Sequence, residues 1–457
     1  MGAGCCSRSV EQNEDLLAKK DSTENSTDTA PPAKITQGYI SIANRFNSTH
    51  VEKEALFGVG GLENLGKTCF VNSALQCLSN CQPLTDYFLS GVYEDEINMH
   101  NPHGTQGELT LSVAEVITTQ WIESYDCIVP KNLVETIYKY GSQFDRETEQ
   151  DVHEFLSFLL DKMHEDLNRV GKSPMLNGLK ISGNSEELLA AKAWQDHLKG
   201  NSSVIVDLFQ GQLKSTLVCQ ECSYLSRKFD VFMYLSLPLT KLTGMITLQE
   251  CLNEFTKDEN LEKGWICPQC ERPVVSNKKF DIWKVPPILI IHLKRFKYIQ
   301  GNFGKNKAFV DFPVVGLDLS GFVSSEQKEP PIYDLFAKID HEGKLKAGHY
   351  YAVARNCRDN KWYKFDDEDV CETEESEIVN DKAYLLFYHK SSVGEFHRQS
   401  KNMPDLWPHI MKNLERKRRM TYDMGESAPP SVGFKKELFA VKEEMEDSQM
   451  FTRISRK

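Results

Sequence analysis

The residue that first invites a chemical reading is Cys69. It stands in the run Gly61-Leu-Glu-Asn-Leu-Gly-Lys-Thr-Cys69-Phe-Val-Asn-Ser-Ala-Leu-Gln, after a glycine-containing turn and before apolar residues at helical spacing. A thiol at a helix start faces free N–H groups and the positive end of the dipole, which favour an anion. The thiolate is the attacking species in acyl transfer. Gly61 and Gly66 suit close backbone approach and a sharp turn. Asn64 is a candidate donor to a developing oxyanion, with the N–H of Cys69 as the second donor. A lone cysteine at such a place is otherwise a buried apolar filler, and Cys77, Cys81, Cys127, Cys251, Cys357 and Cys371 are read that way.

A cysteine nucleophile needs an imidazole to accept its proton and a third polar group to hold that ring. Gly348-His349-Tyr-Tyr-Ala-Val opens a strand pattern, and Trp362-Tyr-Lys-Phe-Asp366-Asp367 follows a turn-like Asn356–Asn360. This reads as a β-hairpin that brings His349 beside Asp366. Asp366 is the expected orienter, and Asp367 a second carboxylate that bonds a water or serves the oxyanion site. His292, in an apolar strand, and His164, on the polar side of a long helix, are read as structural.

Two Cys-x-x-Cys pairs, Cys219/Cys222 and Cys267/Cys270, supply four thiolates with the bite of a closed tetrahedral Zn²⁺ site. With no position left for water, such a zinc is structural. The long separation between the pairs predicts that an extended hairpin unites them.

These groups need elements to hold them. Phe70, Val71, Ala74, Leu75 and Leu78 predict a helix after Cys69. Leu133, Val134, Ile137 and Tyr138 predict another after Pro130. Val152, Phe155, Leu156, Leu159, Leu160, Met163 and Leu167 lie on one stripe of a long helix. Strands are predicted in Tyr234–Pro238, Ile288–Phe296, Tyr350–Arg355, Trp362–Phe365 and Ala383–Tyr388. Helices first and strands later imply an α+β domain.

The patterned region spans 58–390 and is flanked by a polar leader, 1–57, and a charged tail, 391–457, both expected to be disordered. The chain has 457 residues, 40% of them hydrophobic, and a formal net charge of −12. That balance disfavours nucleic acid and suits basic protein partners. Thirteen cysteines, an odd number, with no secretory pattern argue for reduced thiols. No run of about 18 apolar residues predicts a membrane-spanning helix.

The motifs together resemble the ubiquitin-specific protease family, papain-like cysteine proteases. The likeness runs through the Cys69 box, Glu149-Gln-Asp-Val-His-Glu-Phe-Leu, Phe209-Gln-Gly-Gln-Leu-Lys-Ser with the first cysteine pair, Tyr234-Leu-Ser-Leu-Pro-Leu, Leu289–Phe296 and the box Gly348–Asp367. It implies a helical thumb (about 58–195) and a β-sheet palm with zinc-ribbon fingers (196–390). Ubiquitin would rest on the fingers, its Gly-Gly tail reaching Cys69, and ubiquitinated proteins would be the substrates. Hydrolysis would follow the C-terminal glycine through a thioester. The resemblance assigns Cys69, His349 and Asp366 as the catalytic set, Asn64 to the oxyanion site, and Asp151 and Glu154 to the basic tail of ubiquitin.

Two positions depart from the family pattern: Lys67 where Asn is usual before Thr-Cys, and Glu149 where the second block commonly begins with Gln. Ala193-Trp-Gln-Asp-His, Phe232–Leu239 and Asp281–Ile288 are similar to the endosomal UBPY type. Competing readings are an inactive ubiquitin-binding scaffold, a protease for a ubiquitin-like modifier and a zinc-dependent nucleic-acid module. An intact catalytic set opposes the first and the acidic balance the last.

Gly2 with Cys5 and Cys6 suggests myristoylation plus palmitoylation, although Cys6 stands where the usual motif has Ser or Thr. Two acyl chains would hold a cytoplasmic protein on the cytosolic face of the plasma or endosomal membrane. The basic run Arg416–Arg419 reads as a solvated tail, and Lys435–Glu444 as a short helix.

Overall fold

A computed structural model describes residues 57–122, 125–170, 185–299, 302–327, 329–344 and 347–391, all within the unit Leu56–Lys457. The leader, the tail and the candidate acyl sites Gly2, Cys5 and Cys6 lie outside the described residues. So do Arg416–Arg419 and Lys435–Glu444.

The first half is helical, in seven principal helices: α1 (Cys69–Ser79), α2 (Gln82–Ser90), α3 (Glu108–Ile122), α4 (Lys131–Tyr140), α5 (Val152–Asp166), α6 (Glu186–Leu198) and α7 (Val204–Phe209). The helical run therefore extends past 195, to Phe209. Every residue of α1 is buried. Its polar residues survive burial because each finds a partner. The Gln76 amide donates to the Gly60 carbonyl at 2.9 Å, and Trp121 Nε1 donates to the Ser79 carbonyl at 2.9 Å. In α5 the predicted apolar stripe points inward, with Phe155 edge-on to Phe70 at 5.1 Å between ring centroids.

The second half is built on strands β1 (Gly211–Cys219), β2 (Leu225–Phe232), β3 (Tyr234–Leu237), β4 (Glu259–Cys267), β5 (Arg272–Lys284), β6 (Ile288–Leu293), β7 (Ile332–Lys344), β8 (Ala347–Arg355), β9 (Trp362–Asp366), β10 (Asp369–Thr373) and β11 (Ala383–Lys390). One sheet runs in the order β10-β9-β8-β7-β11-β6-β3, with Leu317–Asp318 also paired to β7. A second, long and four-stranded, runs β2-β1-β5-β4, and three two-stranded pairings complete the strands of the described residues. In the first two sheets all neighbours are antiparallel except β3 and β6, which are parallel.

The larger sheet is apolar on both faces. Along β8, Tyr350, Ala352 and Ala354 enter a core shared with the helices, while Tyr351 and Val353 enter a second core on the other side. This is the period of two expected of a strand. Helix α1 lies against the first face, where the Cys77 thiol meets the Lys338 carbonyl at 3.5 Å. Among the described residues, no helix is long and apolar enough to cross a membrane.

The expectations for four residues need correction. Cys127, Cys357 and Cys371 are exposed rather than buried. Cys371 lies on the sheet's edge strand β10, and Cys127 on a two-residue strand beside Gly61–Leu62. His164 is buried rather than on the polar side of α5: Nδ1 meets Ser203 Oγ at 2.8 Å and Nε2 meets Asn201 Oδ1 at 3.1 Å. The stretch Asn201–Ser203, between α6 and α7, lies against that face, which helical periodicity does not foresee.

Candidate active site

The turn before α1 takes its shape from two glycines. Gly66 has φ +96, open only to glycine at low cost, and a Cβ on Gly61 would stand 2.4 Å from the Glu368 carbonyl oxygen. Cys69 opens α1 and is 2% exposed. Lys67, in the left-handed region at φ 53, is anchored by its ammonium to the Glu147 carbonyl.

Strands β8 and β9 form the predicted hairpin. Ala352 pairs with Phe365 and Arg355 with Trp362. One step further in this register, Asp366 stands opposite Tyr351, so Asp366 and His349 share a face, offset diagonally. His349 Nε2 and Asp366 Oδ1 lie 2.5 Å apart, and Lys364 Nζ donates to Asp366 Oδ2 at 2.7 Å. The Asp366 hydrogen bond, then the contact with Cys69, raises the His349 imidazole to about 10. The His349 bond, aided by Lys364, lowers Asp366 to about 2. Cys69 and His349, almost three hundred positions apart, are thus in contact, with a carboxylate behind the ring.

Asp367 is placed differently from Asp366. Its Oδ2 accepts from Asn64 Nδ2 at 2.8 Å and its Oδ1 from Asn72 Nδ2 at 2.8 Å, while its carbonyl accepts from Leu62 N at 2.8 Å. It ties the hairpin to the Cys69 turn. Desolvation raises its carboxyl. Asn64 Oδ1 accepts from Gly66 N at 3.0 Å and Thr68 N at 3.1 Å. This amide fixes the turn, and its remaining N–H is free of that work. Asn72 is a brace that sequence reasoning missed. The available signal was an amide side chain one helical turn after Cys69, on the helix that the nucleophile opens.

Asp151 caps α5, accepting from His153 N at 2.7 Å, and its other oxygen accepts from Tyr384 OH at 2.7 Å. Glu154 is exposed and borders a groove with Tyr140, Phe158, Phe232 and Tyr234. His292 plays the structural part expected of it. Its Nδ1 meets Ser236 Oγ at 3.0 Å, its ring stacks on His153 at 4.0 Å, and burial drives it down to about 2.

The four cysteines Cys219, Cys222, Cys267 and Cys270 converge where β1 and β4 end, their sulfurs within 4.8 Å of one another. The separations are 3.9 Å for Cys219–Cys270 and 3.6 Å for Cys222–Cys267. Tetrahedral Zn–S bonds of about 2.3 Å require sulfurs about 3.8 Å apart. Both turns share one geometry. Ser223 and Glu271 have φ 57 and 56, and their N–H groups return to the carbonyls of Cys219 and Cys267. The residues present fit a tetrahedral metal ion.

Compared with known proteins, residues 60–388 match the family model described as ubiquitin carboxyl-terminal hydrolase. The chain belongs to that family. It is 38% identical to human ubiquitin carboxyl-terminal hydrolase 2 over 341 residues, covering 73% of this chain and 56% of that protein. It is 37% identical to human ubiquitin carboxyl-terminal hydrolase 21 over 357 residues, covering 73% and 62%. It therefore spans little more than half the length of the curated relatives it matches. A solved structure of the yeast SAGA DUB module superposes with TM-score 0.58 at 25% identity, covering 77% of this chain and 72% of that one. The mixed helical and sheet architecture of the family is the one observed. The finer likeness to an endosomal branch rests on the sequence blocks alone.

Proposed function

We propose that this chain is a cysteine-dependent deubiquitinase, hydrolysing the peptide or isopeptide bond after the C-terminal glycine of ubiquitin. The observation that carries the reading is the Cys69–His349–Asp366 constellation, set within a chain of the ubiquitin carboxyl-terminal hydrolase family. Human relatives bear that activity in their names, and a related yeast module was solved bound to monoubiquitin.

The chemistry follows from the contacts. Asp366 engages Nε2 of His349, so Nδ1 is the nitrogen left for the sulfur. Cys69 attacks the glycyl carbonyl, forming a C–S bond. The imidazolium gives its proton to the leaving amine as the C–N bond breaks. His349 then takes a proton from water, whose oxygen attacks the thioester and releases the sulfur. The Cys69 N–H, at the first helical position, lacks an intrahelical acceptor and can donate to the oxyanion, with the second N–H of Asn64 beside it. Asp367 acts by holding Asn64.

Zn²⁺ at Cys219, Cys222, Cys267 and Cys270 would fix the tip of the four-stranded sheet, on which ubiquitin rests in this reading. Asp151 and Glu154 line its tail's approach. Asp151 does so while capping α5. Acylation at Gly2, Cys5 and Cys6 would hold the enzyme on a cytosolic membrane face; Gly2→Ala should then empty the membrane pellet, and an unchanged pellet would count against it.

The direct test is hydrolysis of a ubiquitin–fluorophore amide. Release by the wild type and none by Cys69→Ala is expected. A wild type that releases nothing, or a Cys69→Ala variant that still does, contradicts the reading.

A further inference from the structure

Glu149 touches the proposed nucleophile and has no part in the steps above. The Cys69 thiol donates toward Glu149 Oε2 at 3.8 Å. Glu149 is half-buried, and among the described residues it has no cationic partner.

Its position is built rather than accidental. The preceding loop is folded on Asp145, whose carboxylate accepts from Glu147 N at 2.8 Å, Thr148 N at 2.7 Å and Thr148 Oγ1 at 2.7 Å. Lys67 draws the Glu147 carbonyl toward the Cys69 turn. Asp151 fixes the chain just beyond, through the α5 cap and Tyr384. A carboxylate is therefore held beside the sulfur from both directions along its own backbone.

We propose that Glu149 restrains the nucleophile, resting on the deubiquitinase reading for the identity of the substrate. The sulfur and the ring share one proton, as thiol with neutral imidazole or as sulfur anion with imidazolium, and the Glu149 carboxylate accepts from the first of these forms. A hydrogen bond to the carboxylate favours the neutral thiol, and the fixed negative charge opposes the sulfur anion. Against these act the imidazolium of His349 and the N-terminus of α1. The other charged or titratable groups of the site are Asp366, bonded to His349 and Lys364, Asp367, held by Asn64 and Asn72, Tyr350, which interacts with Cys69, Lys67 on the Glu147 carbonyl and Asp151 on Tyr384. A ubiquitin tail entering the cleft interposes its backbone between Glu149 and the sulfur, frees the thiol proton for His349, and so couples nucleophile activation to substrate. The site thereby discriminates against small electrophiles and oxidants met without substrate.

The test uses the full chain and a small neutral probe, iodoacetamide, with Cys69 alkylation followed by peptide mass spectrometry. At about pH 6.5, Glu149→Gln should be alkylated roughly tenfold faster than wild type, the ratio narrowing at alkaline pH where sulfur ionises in both. Glu149→Asp, which withdraws the carboxylate by one methylene, should fall between. It serves as the reporter should the Gln variant fold poorly. Wild type and variants with superimposable rate–pH profiles would overturn the proposal. Hydrolysis of a ubiquitin–fluorophore amide is read in parallel. If alkylation rates differ as stated but no variant cleaves ubiquitin, the restraint stands and the substrate reading fails. If ubiquitin is cleaved and the alkylation profiles coincide, the reverse holds.

Discussion

The His349 imidazole is raised by two contacts, the Asp366 hydrogen bond first and Cys69 second. An imidazole raised from 6.5 to about 10 contributes stability that is complete below about pH 6.5 and disappears as pH climbs to about 10. Asp366 is shifted the other way, so its share is present above about pH 4 and is lost as pH falls toward 2. The pair is only partly buried, and solvent screening keeps its contribution modest. Asp366→Asn should therefore lower the melting temperature near pH 6 by more than it does near pH 10. It should also cut kcat/KM by about 10²-fold, the ordinary scale of acid–base assistance. Melting curves at several pH values check the first, and a progress-curve assay the second. An Asp366→Asn penalty that grows toward alkaline pH would contradict this account of the ion pair. At this scale Cys69, His349 and Asp366 were legible because their types and flanking patterns coincide. The contact between Cys69 and Glu149 was not, since it depends on how an irregular loop folds.

Among the elements, α5 bears two loads on one residue. Asp151 caps the helix and holds Tyr384 of β11, while the resemblance also assigned it to the substrate's tail. The two roles separate by substitution. Asp151→Ala removes the cap and should cost about 1 kcal/mol. Asp151→Asn keeps a competent cap and removes the charge, its Nδ2 donating to the Tyr384 hydroxyl instead of accepting from it, so it should unfold close to wild type in denaturant. If the charge guides the tail, KM for ubiquitin–fluorophore amide should nonetheless rise in Asp151→Asn. Equal KM values would leave Asp151 a structural residue. The helix itself was readable from its apolar stripe, and the β8–β9 hairpin from its alternation and turn residues. Two features escaped: the loop that buries His164, and the edge position that exposes Cys371. Both depend on packing between segments far apart in sequence, which local periodicity does not encode.

The whole molecule divides the labour between a helical half that supplies the nucleophile and a strand-built half that supplies the base. Helix α1 joins them, buried along its full length against the larger sheet. The four-stranded sheet stands apart in composition, with a small core centred on Cys219, Cys267 and Val274. So small a cluster is a weak anchor, and a metal ion there should supply the missing order. The purified chain is expected to carry about one zinc ion, and Cys267→Ser with Cys270→Ser to carry none. That double variant should lose amide protection in β1, β2, β4 and β5 while Cys69 remains reactive to iodoacetamide. Loss of Cys69 reactivity together with the metal would argue against a purely structural ion. The α+β order and the paired cysteines were visible in the sequence. The sheet order, and the way β7 carries the buried Lys338–Asp340 ion pair, were not. A charged pair in a strand resembles an exposed edge until its surroundings are known.

The claim on which the rest depends is that the sulfur of Cys69 attacks the carbonyl that follows the tail of ubiquitin. Ubiquitin carrying an electrophile in place of its C-terminal carboxylate measures this directly, with the adduct located by peptide mass spectrometry. A single adduct on Cys69, absent in Cys69→Ala and strongly slowed in His349→Ala, is the predicted result. An adduct that persists in Cys69→Ala, or a wild type that forms none while folded, would contradict it.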